Sequence, residues 1–336
     1  MKTPAPLAVS ILIIFGSFAT VQDARSKEPR SKQLSSAYGF VLGQQASLEL
    51  IEKKFPDLSR DVKASWFAFN SSALGESVKG VEAELSSQFG DRWPEFKKKM
   101  ASQMRKIAEG QQPTRNQAIA FLGEVKLRAK GELPDSIRST LLSAHPRYSK
   151  HPVLEMSEGW KKIFHSKGHA KAKGLKMKIS YPSSWKQTEG SRPNIMQKFQ
   201  GGNAQDGVVM LITKALPAPY NRKLTVAEKQ EITSKEVVVE FVPNGSKLIS
   251  YKATKIDGVI AAMIEYEVIA ERAGYSIGQK NLSFIIPHHG ALLLIQCGTG
   301  GDASKGMTTI RNRYRAAKPL FTLIASSCIF VDKWEN

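Results

Sequence analysis

Apolar positions recur every three or four residues through 44–145 and every second residue from about 156 onward, so the chain changes period once. The first region predicts five helices. Pro56-Asp57 is a helix start, because proline at the first helical position loses no intrahelical bond. Val62, Trp66 and Phe69 then share a face, and Val78, Val81, Leu85 and Phe89 make a second stripe. Asp91 is the expected cap of a third helix, with Phe96, Met100, Met104 and Ile107 inward and Gly110 as its end. Thr114 caps a fourth, with Ile119, Leu122 and Val125 facing the core and Gly131 as the stop. Pro134-Asp135 opens a short fifth helix. Short connections make this an all-helical bundle over 44–145, and its Met and aromatic stripes read as core. Residues 146–155 read as a hinge, and the stretch 20–43, rich in Ser, Gln, Lys and Arg, as a flexible linker.

Beyond the hinge the pattern is that of strands. Leu175, Met177, Ile179 and Tyr181 point one way, with Lys176, Lys178 and Ser180 opposite. A second strand is expected from Gly207 to Lys214. Residues 247–256 and 258–270 read as a hairpin turned at Asp257-Gly258, with Ala262, Ile264, Tyr266 and Val268 on one face. Residues 275–286 and 291–297 form another pair, turned at Pro287-His288-His289-Gly290. One helix is expected over about 225–238. A last one runs from near Gly306 to about Ser326, with Ile310, Tyr314, Ala317, Phe321 and Ile324 as its buried stripe. The fold class is α+β, an antiparallel sheet covered by helices.

The first strand ends in Tyr181-Pro182-Ser183-Ser184-Trp185, the later hairpin turns at Asp257-Gly258, and the closing helix leads into the run Phe321 to Phe330. On these features the C-terminal half, residues 156–331, resembles the PsbP/Mog1-like superfamily. The resemblance implies an α-β-α sandwich with an antiparallel sheet. It also implies a binding or assembly module rather than an enzyme. The helical half has no counterpart in the small members of that family.

The N-terminus reads as an export signal over 1–19: Lys2, an apolar run from Leu7 to Phe18, and small residues before a cleavage expected near Ala19. The expected location is therefore periplasmic or secreted, with no transmembrane segment in the mature chain. The formal net charge is +19, with +11 of it in residues 151–336. A basic exported protein suggests anionic envelope polymers or lipids as partners, beside an envelope protein. Lys171, Lys173, Lys176 and Lys178 lie in the densest basic cluster, and Arg311, Arg315 and Lys318 form a stripe on the last helix. Both sets are candidate anion-binding residues. Nucleic acid is disfavoured, because aromatic residues are not interleaved with the lysines.

Candidate chemistry is sparse. His165 and His169 have the spacing of a helical metal pair, but their strand or loop context separates the rings. His288-His289 reads as a polar exposed turn. Gly298-Thr299-Gly300-Gly301 reads as a strand-to-helix loop without the residues of a phosphate-binding motif. Glu265 and Glu267 share one strand face and read as solvated. Cys297 and Cys328 allow a disulfide in an oxidising compartment, or two buried thiols. No nucleophile motif is present, and neither a cofactor nor a metal is expected. The leading expectation is an exported non-enzymatic binding or assembly protein of the cell envelope. The alternatives are a polyanion or membrane-surface binder using a basic face, and a hydrolase with an unrecognised inter-domain site.

Overall fold

The computed structural model describes residues 29–202, 207–272 and 274–335. The expected export signal, and the linker up to residue 28, lie outside the described residues. Those described form two compact units: residues 29–161 with Pro182–Trp185, and Lys162–Tyr181 with residues 186–335. No helix among the described residues is long and apolar enough to cross a membrane.

The first unit contains α1 (Arg30–Lys54), α2 (Ser59–Asn70), α3 (Ala73–Phe89), α4 (Trp93–Gly110), α5 (Arg115–Ala129), α6 (Asp135–Ser143), α7 (Pro146–Lys150) and α8 (Val153–Ser157). Helix α1 corrects the expected linker. Leu34, Ala37, Tyr38 and Val41 are buried on it, against α3, α4 and α6 among others. Pro29 sits at its N-cap. It does no harm there, for the same reason that Pro56 could begin a helical turn. The hinge is also corrected: residues 146–155 contribute α7 and the start of α8, with Tyr148 and Glu155 buried.

Elsewhere the helical expectations hold with local shifts. Thr114 forms a reciprocal capping box with Gln117. Asp91 is not a cap; a 3-10 turn over Gly90–Arg92 runs directly into α4. Ile107 and Ile119 are half exposed, and Ala118 takes the inward place beside Leu122 and Val125. Glu155 accepts hydrogen bonds of 2.6 Å from both the backbone N–H and the hydroxyl of Ser184. The Pro182–Trp185 turn therefore belongs to the helical unit, with Trp185 buried.

The strands are β1 (Lys161–His165), β2 (Met177–Pro182), β3 (Lys186–Glu189), β4 (Ile195–Gln200), β5 (Val208–Ala215), β6 (Lys247–Ile256), β7 (Val259–Arg272), β8 (Tyr275–His288), β9 (Ala291–Asp302) and β10 (Ile329–Phe330). Seven of them form one antiparallel sheet in the order β3-β4-β5-β9-β8-β7-β6, and β1-β2-β10 form a second, small sheet. Three helices join them: α9 (Val226–Ile232), α10 (Lys235–Val238) and α11 (Thr308–Ser326). The helix expected over 225–238 is thus two, interrupted at Thr233-Ser234, where Ser234 caps the second.

Alternation along β7 explains the layers. Ala262, Ile264 and Tyr266 face Ile232, Val238 and Phe241 of the α9–α10 layer. The opposite face of the sheet carries α11, whose Ile310, Tyr314, Ala317, Phe321 and Ile324 are all buried as their spacing requires. Helices thus cover both faces of an antiparallel sheet, an α-β-α sandwich. The glycine run Gly298–Gly301 is strand rather than loop, because β9 continues to Asp302 in register with β8. A glycine at Gly278 lets α11 come close, since a Cβ there would lie 2.4 Å from Met307 Sδ.

Candidate functional site at the hairpin tips

Two tight turns project from one end of the large sheet. Asp257 and Gly258 turn β6 into β7 with φ of 49° and 73°, and His289 and Gly290 turn β8 into β9 with φ of 45° and 75°. Paired positive φ values mark two-residue turns whose twist matches the strands they join. The C-terminal segment after β10 reaches both turns. Asp257 Oδ2 accepts the backbone N–H of Phe330 at 2.9 Å and the indole N–H of Trp334 at 3.3 Å. Lys333 donates to the Asp257 carbonyl.

This placement brings Asp332 to the histidine turn. Its Oδ2 lies 2.9 Å from His288 Nε2 and 3.0 Å from His289 Nδ1. The two imidazoles stack at 4.1 Å between centroids, and Phe330 covers His288 from 4.2 Å. The exposed polar turn expected from sequence is therefore half wrong. The His289 side chain is 46% exposed, but His288 is only 2% exposed. Burial holds the His288 pKa below its ordinary value, and the Asp332 carboxylate opposes that shift. His288 Nδ1 and Asp332 Oδ1 are buried with no hydrogen-bond partner. Two imidazole nitrogens and a carboxylate oxygen thus converge within 4.8 Å of one another. Such a donor set can share a proton or ligate a metal ion.

The other paired carboxylates also differ from expectation. Glu265 and Glu267 lie beneath α11, each 7% exposed. Arg311 grips Glu267 with two bonds, of 2.9 and 2.7 Å, and Lys280 approaches it at 3.1 Å. Lys318 meets Glu265 at 2.6 Å. The Arg311 guanidinium foremost holds the Glu267 pKa at about 2. Every charge in this group has a counter-charge, so it joins helix to sheet rather than offering a reactive acid.

The candidate anion-binding residues are dispersed. Lys171 pairs with Glu189, and Lys176 with Glu335. Lys173 is exposed and Lys178 half-buried on β2. Ser180, on the same strand, donates its N–H to Ser327, just past the end of α11. Arg311 lies sixteen positions earlier on that helix, roughly 24 Å away along its axis. Of the helix stripe, Arg311 and Lys318 are spent on Glu267 and Glu265, and Arg315 is exposed. The Ser180 end of the lysine strand is therefore remote from the start of the arginine stripe. His169 is no ligand partner of His165 either, because its Nδ1 caps the turn at Lys171.

Cys297 and Cys328 are free, fully buried thiols rather than a disulfide. Burial raises both pKa values, that of Cys328 to about 12, so neither is a thiolate nucleophile near neutrality.

The helical unit has a groove of its own, a cavity of ≈ 370 Å³ between α1, α2, α3 and α4. Val41, Leu42, Trp66 and Val78 give it apolar walls. Ion pairs line it: Lys97 with Glu82 at 2.9 Å, and Arg105 with Glu49 at 3.3 Å. Tyr38 donates to Glu82 at 2.6 Å, and burial followed by that carboxylate raises the phenol pKa. From sequence, Trp66 and Val78 read as helical core and Tyr38, Val41 and Leu42 fall in the expected linker, so the groove was not foreseen.

No family model matches the sequence, and no curated protein matches it. Solved structures do. Cyanobacterial PsbP (CyanoP) from Synechocystis sp. PCC 6803 is 16% identical, covering 51% of this chain and 92% of its own at a TM-score of 0.33. The Ran-binding protein Mog1p of Saccharomyces cerevisiae is 9% identical, covering 52% and 97% at 0.34. LpqN of Mycobacterium tuberculosis, involved in cell envelope biogenesis, is 13% identical, covering 50% and 89% at 0.31. Each of these matches spans about half of this chain.

Proposed function

We propose that this protein is an exported, non-enzymatic binding or assembly protein of the cell envelope. Its helical groove takes an apolar segment of a protein partner. The observation that carries this reading is the groove itself: apolar walls with ion pairs of both signs along them. Apolar walls supply affinity, and fixed polar groups supply orientation. Support for a non-enzymatic role comes from the groups that would otherwise be catalytic candidates. Glu265 and Glu267 are neutralised by basic side chains, and both thiols are buried and protonated. Export rests on the N-terminal apolar run after Lys2.

The test is capture from envelope extracts by the wild-type protein and by Ala101→Trp, which fills the groove. A stoichiometric protein partner recovered by the wild type and lost in the variant is expected. Equal recovery by both, or no partner with a folded sample, overturns the groove reading. N-terminal sequencing of the protein from its native host should find the chain beginning near residue 20, and a retained Met1 overturns export by cleavage.

A second reading, binding to anionic lipid or polymer, is favoured by the net charge of +19. Anionic vesicles sedimented at low and high salt test it, because attraction between exposed charges must weaken with salt.

A further inference from the structure

We propose that His288, His289 and Asp332 form a binding site for one divalent transition-metal ion of the zinc type, which ties the C-terminal segment to the β8–β9 hairpin. The proposal does not depend on the helical groove and stands or falls separately from it.

The donor chemistry comes first. Two imidazole nitrogens and one carboxylate oxygen suit Zn²⁺ and its neighbours, whereas Mg²⁺ and Ca²⁺ take oxygen donors. The donor atoms are already gathered. His288 Nε2, His289 Nδ1 and Asp332 Oδ2 lie within 4.8 Å of one another, with the carboxylate oxygen 2.9 and 3.0 Å from the two nitrogens. Tetrahedral zinc with bonds of about 2.0–2.1 Å needs donors roughly 3.3 Å apart. An ion is therefore admitted when the carboxylate–nitrogen distances open by a few tenths of an ångström and the half-exposed His289 ring turns out of its stack on His288, so that both ring lone pairs meet one centre. Asp332 Oδ1 has no partner and can join as a second carboxylate ligand. The fourth position faces out beside His289, whose side chain is 46% exposed.

The site is built rather than accidental in two respects. His288 is 2% exposed, held between the His289 ring and Phe330, and its Nδ1 has no hydrogen-bond partner. An ion at Nε2 leaves that Nδ1 as it is, but it does reach the carboxylate, whose buried Oδ1 also has no partner, and a buried polar atom in that state is costly unless the site has another use. The C-terminal segment is also positioned independently of the cluster, because Asp257 accepts from Phe330 and Trp334. Asp332 is thereby delivered to the histidines before any ion arrives. The opposing charges nearby are Lys333 and Lys229. Lys333 is answered by Asp257, and burial foremost lowers the Lys229 pKa.

The experiment uses the full chain, free of any polyhistidine tag and treated with chelator. Zinc chloride is added in calorimetric titration and in thermal unfolding, with magnesium chloride as the control. One saturable zinc per chain is expected, with a rise in Tm of roughly 5–10 °C at a hundredfold excess over Kd. His289→Ala and Asp332→Asn should each weaken binding at least tenfold. Because His289 is half exposed, His289→Ala is expected to lower the metal-free Tm by only a few degrees, less than Asp332→Asn, which keeps the test valid if Asp332→Asn folds poorly. Cobalt(II) should give the visible bands of a tetrahedral nitrogen-containing site in the wild type and none in His289→Ala. Absence of one-to-one zinc binding in the wild type overturns the proposal. Binding that is equal in wild type and His289→Ala overturns it as well.

Discussion

The two polar clusters of the sandwich unit make an instructive pair. Under α11, Glu265 and Glu267 are buried, yet Arg311, Lys318 and Lys280 answer both charges. At the hairpin tips, His288 and Asp332 are also largely buried, yet each keeps a polar atom with no partner. Similar burial thus leads to opposite outcomes. A satisfied network spends its chemistry on holding elements together, whereas an unsatisfied one retains chemistry for a ligand. Breaking the first should cost stability. Occupying the second should add it.

The largest effect should come from Glu267→Ala, which leaves Arg311 without its carboxylate and Lys280 with only Glu265, 3.7 Å away. A loss of about 3–5 kcal/mol is expected in chemical denaturation. A loss below about 1 kcal/mol would mean that the network behaves like a solvated surface pair. Next is Asp257→Ala, which removes the acceptor of the Phe330 N–H. About 1–3 kcal/mol is expected, with faster amide exchange confined to the C-terminal segment. Exchange unchanged at Phe330 would show that the segment is not held by this turn.

Acid should act on the network through Glu267. Its folded pKa of about 2 lies below the usual 4.5. The unfolded chain therefore takes up the proton first, and this contribution is complete above about pH 4.5 and lost as pH falls toward 2. In Glu267→Gln the stability-versus-pH slope over that window should be shallower than in the wild type; an unchanged slope would assign the acid sensitivity elsewhere. The smallest effect belongs to Arg315→Ala. Arg315 is exposed one turn beyond Arg311 on α11, and a change within about 0.5 kcal/mol is expected. A larger loss would extend the network along the helix.

Legibility in the sequence followed the reach of each interaction. The α11 stripe, the alternation along β2 and β7, and both hairpin turns depend on neighbours a few residues apart, and all appear where the pattern placed them. Helix α1 was missed because Gln, Ser and Gly dilute its inward positions; Gln44 itself is buried there. Strands β3 and β4 are short, and β10 has two residues, too few to show a period.

For the sites, the residue types were visible but their partners were not. Glu265 and Glu267 were read as solvated because alternation separates two faces without saying which one a helix will cover. The seven-residue spacing of Arg311 and Lys318 was the available clue, since it places two cations on one side of α11 above two carboxylates on one side of β7. The histidine turn carried no such clue to its carboxylate.

The sequence by itself determined where helices give way to strands, which face of α11, β2 and β7 is apolar, and where two strands reverse at Asp257-Gly258 and His289-Gly290. Those are consequences of local backbone geometry and side-chain period. Only the tertiary structure decided that Glu267 meets Arg311, that Cys297 and Cys328 stay free, and that Asp332 reaches His288. These outcomes depend on residues more than thirty positions apart, brought together by burial of apolar surface that has no direction of its own.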